Sequence, residues 1–378
     1  MIRFGSMSIT LLVAGMYGLL FASLLWFNPQ NRWANRFLSA LLIVISLRLL
    51  PYIIGYAGFY EAYPWLSFLP WNLSLAIGPL LYLHVHHLMR DRVMPGWGWH
   101  FVPTLLQFAY YCMVFAQPLA FKDAWDMNWH VPWFGPIELA SMFVSIAVYW
   151  WLSYRHLQRY RDWLEREHSQ MEEHRLDWLR HFLLALGLTL LIWLGLVAFD
   201  RLVAKLDYFQ QFPFYVWLGL LVYYLGTEGY RHARHVYPVY VPVAEPAAPE
   251  PESAPAPSVR PAVDWTARAQ DWRQKLIAAG WWRDPELSLP SLARKLGTNS
   301  SDLSRAINDG LGMNFNELIN RLRVDAVAAE LARTPDTGLL DLALACGFSS
   351  KASFNRCFKR FTGKTPSEFR ADLPKEAD

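Results

Sequence analysis

Residues 287–312 read LSLPSLARKLGTNSSDLSRAINDGLG. Leu289, Leu292, Ala293 and Leu296 recur at the three- and four-residue spacing of one helix face. Gly297 follows where that helix must stop, and glycine enters the left-handed turn found there without a Cβ penalty. Asn299, Ser300 or Ser301 can cap the next helix. Its apolar positions Leu303, Ala306 and Ile307 again keep helical spacing. Two short helices joined by a tight glycine-containing turn make a helix-turn-helix, whose second helix can enter the DNA major groove.

The arrangement recurs downstream. Leu339, Leu342, Ala343 and Ala345 form a helix face, and Cys346-Gly347-Phe348 makes the turn. Ser349 or Ser350 can cap a helix whose buried stripe is Phe354, Phe358 and Phe361. The positions left over are Lys351, Ser353, Asn355, Arg356, Lys359 and Arg360. Lysine and arginine suit phosphate and guanine, and asparagine suits adenine. An apolar-periodic helix from about Asn314 to Ala332 separates the two units by a fixed distance.

Together, LARKLG, SSDLSRAINDGLGMNFNELINRLRVDAVAAEL and LACGFSSKASFNRCFKRFTGKTPSEFR resemble the AraC/XylS family of bacterial transcription regulators. The most specific part is Gly347-Phe348-Ser349-Ser350, Ser353-Phe354, Phe358-Lys359 and the run from Gly363 through Thr365-Pro366-Ser367 to Phe369-Arg370. The resemblance implies a soluble domain of seven helices that binds promoters. Two recognition helices, Ser300–Asp309 and Ser350–Phe361, would read adjacent major-groove segments. The DNA-binding residues it implies are Ser300, Ser301, Ser304, Arg305 and Asn308 in the first helix. In the second they are Ser350, Lys351, Ser353, Asn355, Arg356, Lys359 and Arg360. There is one departure. Family members often carry Phe-Lys after the first Ser-Arg, whereas this chain has Ile307-Asn308, next to Asp309 and near Asp302. More of the phosphate binding is therefore expected from the second unit.

Outward from these motifs the composition changes. The chain has 378 residues and a net charge of +3, a weak nucleic-acid footprint taken alone, so the DNA reading rests on motifs. Its mean hydropathy of +0.12 is high for a soluble chain, and the long apolar runs lie before residue 238. A membrane helix needs about 20 mostly apolar residues. Seven segments qualify, at about 7–27, 37–59, 66–89, 101–121, 136–154, 181–199 and 212–230. The third is interrupted by Pro70, Asn72 and Pro79. The first is too long for a signal-peptide core and lacks a cleavage site.

Cytoplasmic loops carry an excess of arginine and lysine. One side holds Arg32, Arg36, Arg90, Arg92, Arg155, Arg159, Arg161, Arg166, Arg175, Arg180, Arg231 and Arg234. The other holds only Arg3, Lys122, Arg201 and Lys205. The N-terminus is expected outside and the C-terminal domain in the cytoplasm, where DNA is. Tryptophans near the span ends suit the headgroup zone. The charged stretch Tyr154–Arg180 reads as a helical extension of spans five and six with a turn in Glu167–Gln170. It is a solvated hairpin, or a dimer or relay surface. From Pro238 to Ala262 eight prolines mark an extended, flexible linker.

Ionisable groups at membrane depth are costly and draw attention. Arg48 sits near the middle of span two, and Glu138 or a carbonyl freed by Pro51 could partner it, or it could take an anionic ligand. His84 and His87, one turn apart, are read as reaching water at the cytoplasmic boundary, with metal or haem ligation the sharper alternative. The outer loop Lys122–Gly135 forms a lid or ligand site, or an aromatic interface loop. Cys112, Cys346 and Cys357 show no metal-ligand spacing. No G-x-S-x-G, H-E-x-x-H, Walker or dinucleotide motif appears, so no enzyme, catalytic residue, metal or cofactor is expected.

The expectation is an all-α chain: a seven-transmembrane-helix bundle over residues 1–237, a linker at 238–262 and a soluble seven-helix domain with two helix-turn-helix units at 263–378. It would be a multi-pass protein of the bacterial inner membrane and a one-component transcription regulator. Expected partners are double-stranded promoter DNA, the lipid bilayer, a second copy of the chain, RNA polymerase and an unknown small-molecule or membrane signal. The rivals are a non-sensing membrane tether for DNA, and a transporter or enzyme fused to a regulator.

Overall fold

A computed structural model describes residues 2–90, 93–167, 176–240, 264–334 and 336–373. The described residues contain helices and no strand. The chain divides into two compact units, Met1–Arg159 with Leu176–Tyr240, and Tyr160–Arg175 with Val241–Asp378. The expected linker from residue 241 onward, Arg92, Arg175 and the turn at 168–170 lie outside the described residues.

The first unit begins with α1 (Ser6–Trp26) and α2 (Arg32–Tyr56), followed by the short α3 (Phe59–Ala62). Then come α4 (Ile77–Met89), α5 (Val102–Phe115), α6 (Leu119–Trp125), α7 (Gly135–Glu167, of which the part up to Arg159 belongs to this unit), α8 (Asp177–Leu202) and α9 (Phe212–His232). Small residues let α1, α2 and α9 approach closely, as in membrane helix pairs generally. A Cβ on Gly18 would lie 2.2 Å from Ser46 Oγ and 2.7 Å from a Val222 methyl. The Ser39 hydroxyl donates to the Ala22 carbonyl at 2.6 Å, bonding α2 to α1.

Among the described residues, four helical stretches are long and apolar enough to cross a membrane: Ser6–Trp26, Arg32–Tyr56, Leu119–Leu164 and Asp177–Leu202. This differs from the seven expected spans. The third expected span is broken into 3-10 turns at Pro64–Phe68 and Ser74–Ala76 before α4, which has only 13 residues. At 1.5 Å per residue α4 reaches about 20 Å, short of a hydrocarbon core of about 30 Å. The fourth is the 14-residue α5 followed by the separate α6. The seventh, α9, has 21 residues but carries Glu228 and Arg231 in a less apolar sequence. In contrast, α7 runs for 33 residues, about 50 Å, so it continues well past the end of the expected fifth span. Leu157, Tyr160, Trp163 and Leu164 on that extension are buried.

The second unit contains seven α-helices among residues 264–373: α10 (Trp265–Ala278), α11 (Leu289–Leu296), α12 (Ser300–Arg305), α13 (Phe315–Arg333), α14 (Leu339–Ala345), α15 (Lys351–Thr362) and α16 (Pro366–Ala371). Their starts are encoded locally. Asp264, Asn299 and Ser350 accept from backbone N–H groups of the first turns of α10, α12 and α15. Reciprocal capping boxes pair Ser288 with Ser291, Asn314 with Glu317 and Thr365 with Glu368. One core then joins them through Leu276, Leu292, Leu303, Ile319, Val327, Leu342, Phe354 and Phe358. The rings of Phe348, Phe354, Phe358 and Phe369 follow one another at 5.3–5.5 Å between centroids, which links α14, α15 and α16.

Candidate nucleic-acid interface

The first helix-turn-helix is α11, Gly297 and α12. Gly297 has φ +69°, and its N–H bonds back to Arg294, closing the helix in a left-handed turn. Of the three expected caps, Asn299 does the capping: its side-chain oxygen accepts from the Asp302 N–H at 2.8 Å. After six residues α12 widens into a π-helical turn, Ala306–Gly310. Gly310 lies where a Cβ would come within 2.5 Å of the Trp265 carbonyl oxygen, so this turn packs directly on the backbone of α10.

The second is α14, the turn at Cys346–Phe348, and α15. Gly347 has φ +90°, and a Cβ there would lie 2.6 Å from the Arg283 carbonyl oxygen. Both the torsion and the close approach require glycine. Ser350 is the N-cap of α15, accepting from Ser353 N–H at 3.2 Å. Unlike α12, α15 stays α-helical for 12 residues and ends on Gly363 at φ +77°.

A buried arginine ties both units together. Arg323 on α13 is fully buried. Its Nε donates to the Trp282 carbonyl at 2.9 Å and its Nη2 to the Asp284 carbonyl at 2.8 Å. The guanidinium lies 5.9 Å from the Phe348 ring. Burial lowers its pKa to about 10, with Cys357 and Asp284 opposing the shift, so it remains charged at neutral pH. The segment 282–284 just before α11 is therefore gripped by α13 and backed by the turn of the second unit. Sequence reading missed this residue, because an arginine in a helix is ordinarily a solvated group.

The expected contact residues fall into two sets. Ser301, Arg305 and Asn308 are exposed on the first unit, with Ser300 and Ser304 half-buried. Lys351, Asn355, Arg356, Lys359 and Arg360 are exposed along α15. Ser353 is not among them: it is 7% exposed and lies in a seam with Asn316 and Asn320 of α13. The Ser350 hydroxyl is half-buried and engaged as a cap.

Arg305 and Arg360 each pair with a carboxylate. Arg305 pairs with Asp309 at 3.3 Å, and its guanidinium stands 5.2 Å from the Trp265 ring centroid. Arg360 pairs with Glu317, the capping-box residue of α13. The first pair is largely exposed and the second is exposed on its arginine side, where an ion pair is worth about 0–1 kcal/mol and yields readily to phosphate.

In the first unit of the chain, Arg48 and Glu138 form no ion pair. Arg48 lies over Tyr52, at 5.7 Å from the ring centroid. The Glu138 carboxylate instead accepts from Asn72, Gln107 and Tyr111. The histidines expected to reach water are buried. His84 Nδ1 is 2.9 Å from the Ala34 carbonyl, and His87 Nδ1 is 2.8 Å from the Leu83 carbonyl. No group of three or more His, Cys, Asp or Glu suited to a metal occurs among the described residues.

Residues 292–372 match a family model described as a helix-turn-helix domain. An uncharacterized HTH-type transcriptional regulator of Staphylococcus aureus (strain COL) is 40% identical over 89 residues, 24% of this chain and 12% of that protein. The protein named "Probable transcription factor PqrA" of Proteus vulgaris is 34% identical over 88 residues, 23% of this chain and 71% of that protein. A solved protein of unknown function from Listeria innocua has 28% identity and a TM-score of 0.24, with 27% of this chain and 96% of that chain covered. The similarity thus spans only a small part of the staphylococcal relatives. Those named are regulators of transcription, in keeping with a chain that is not an enzyme.

Proposed function

This chain belongs, through its C-terminal domain, to the AraC/XylS-type helix-turn-helix transcription regulators, and from that premise we propose that it is a one-component regulator held in the bacterial inner membrane. The observation that carries this reading is the exposed row Lys351, Asn355, Arg356 and Lys359 on α15, in the same chain as four membrane-length apolar helices. Arginine and lysine in this row neutralise phosphates, and Asn355 and Arg356 offer hydrogen bonds to base edges. On the first unit Ser301, Arg305 and Asn308 take the adjacent major-groove segment.

The arginine bias of alternate loops supports an N-terminus outside and a DNA-binding domain in the cytoplasm. The stretch 238–262, with its eight prolines, is the linker this reading places between the apolar helices and the DNA-binding domain. A signal is passed by pairing two copies, which raises the local concentration of a second DNA-binding domain. RNA polymerase is the partner through which a bound copy would alter transcription.

Hydroxyl-radical footprinting of the detergent-solubilised chain on the DNA upstream of its own coding region tests this. Protection of two neighbouring major-groove segments on one DNA face is expected. No protected site would contradict the reading. Deleting residues 1–237 separates sensing from tethering. A sensor loses its response to stimulus, whereas a tether keeps regulation and loses only its membrane location.

A further inference from the structure

Within the first unit, the loop between α6 and α7 is a nine-residue π-helical turn, Asp126–Phe134. Pro132 inside it has no N–H to continue an α-helical ladder. The turn folds aromatic rings over α5. Trp125 Nε1 donates to the Tyr110 hydroxyl at 3.0 Å. The Tyr110 ring stands 5.7 Å from Trp125 and 5.3 Å from Phe134. His130 lies 4.7 Å from Trp125 and 5.9 Å from Tyr111. Tyr110, Trp125, Trp129 and Phe134 line a pocket of about 400 Å³.

Behind the Tyr110–Tyr111 pair sits a carboxylate. Glu138 takes hydrogen bonds from Asn72, Gln107 and Tyr111, and among the described residues no cation lies within ion-pair distance of it. Arg48 interacts with it only through space. The Gln107 and Asn72 side-chain oxygens and the Thr104 hydroxyl are buried without a partner. Gln107 is 9% exposed and Thr104 6%. Buried oxygens left unbonded beside a carboxylate are costly unless a donor or cation arrives. Residues 102–138 also carry Asp123 and Asp126 against the single Lys122, which is enclosed by Phe115 and Phe68.

We propose that this pocket binds an organic ammonium group, with the faces of Tyr110, Trp125, Trp129 and Phe134 as a cation cage and Glu138, which stands outside the lining on the far side of Tyr111, as the counter-charge. Aromatic faces attract such cations through their quadrupoles, tryptophan most strongly, and a half-buried carboxylate adds to that attraction. The ammonium comes either from a free amine or from a lipid headgroup. This proposal rests on the reading that the first unit lies in a membrane and receives a signal, and it names the chemical class of that signal.

The test uses the full chain reconstituted in phosphatidylglycerol vesicles and equilibrium binding of radiolabelled tetramethylammonium. Saturable binding of one cation per chain is expected, weakened at least about tenfold by Glu138→Gln and by Trp125→Ala. Glu138→Gln keeps an acceptor oxygen for Asn72 and Gln107 and turns an N–H toward the Tyr111 hydroxyl oxygen, and an unchanged circular dichroism spectrum checks that the fold is kept. No saturable binding, or equal binding by wild type and both variants, overturns the proposal. Vesicles containing phosphatidylethanolamine distinguish the sources: a lipid headgroup suppresses tetramethylammonium binding there, and a free ligand's site is unaffected. DNA occupancy measured in the same vesicles is independent. Binding that leaves occupancy unchanged retains the site and removes its signalling role, whereas DNA binding without cation binding retains only the regulator.

Discussion

The two helix-turn-helix units share a plan and differ in what their second helices offer. In both, a left-handed glycine ends the first helix and a polar cap opens the second. In both, a glycine packs against backbone from the N-terminal part of the domain, Gly310 on Trp265 and Gly347 on Arg283. Yet α12 is six residues long, with Asp302 in its first turn and its one arginine paired to Asp309. By contrast, α15 is twelve residues long, has no acidic residue in its first turn and exposes Lys351, Arg356, Lys359 and Arg360. The frame is duplicated while the charge is not. The lesson is that the fold of such a unit is set by glycines, caps and a buried stripe, and these leave the outward face free to vary.

The largest expected effect breaks the shared frame. Gly347→Ala combines a positive φ with a clash against backbone that cannot move aside, and should cost roughly 3 kcal/mol or more in urea unfolding of the second unit. Gly297→Ala, at a similar φ but with open space around it, should cost only about 1–2 kcal/mol. Equal losses would show that the close approach at Arg283 is unimportant.

Next comes the charge difference. Removing Arg356 and Lys359 together should weaken binding to a random duplex by about 2 kcal/mol, roughly thirtyfold, in fluorescence anisotropy at low salt. Arg305→Ala should cost less than about fivefold, because its charge is already shared with Asp309. A larger loss from Arg305→Ala than from the pair would reverse the comparison. The smallest effect sharpens it. Glu317→Gln keeps the capping box, removes the partner of Arg360, and should tighten DNA binding by about threefold or less.

Much of this was legible in the amino-acid order because the deciding signals are local. Gly297, Gly347, the cap residues and the spacing of Leu303, Ala306, Ile307, Phe354 and Phe358 all act within a few residues of one another. The long α13 is capped by Asn314, as its apolar period predicts, and ends at Arg333, one residue past the expected Ala332. What stayed hidden depends on distant pairs. Arg323 is gripped by carbonyls about 40 positions earlier, Arg305 stands over Trp265, and Arg360 meets Glu317. Ser353 was expected on the outer face, but the inner face of α15 is wide enough to take it in against α13. In the apolar half, hydropathy registers runs and not breaks. Residues 66–89 were therefore expected as one span, although Pro64, Pro70 and the turn at Ser74–Ala76 leave α4 too short.

The salt dependence of DNA binding by the full chain in nanodiscs tests the central claim, a DNA reader whose phosphate grip is concentrated in the second unit. The logarithm of the binding constant should fall linearly with the logarithm of salt concentration, losing about 0.9 of slope for each phosphate contact removed. Replacing Lys351, Arg356 and Lys359 by alanine should reduce the slope by roughly 2.7, and Arg305→Ala by at most about 0.9. An equal or greater reduction from Arg305→Ala, or no salt-dependent binding by the unaltered chain, would contradict the account.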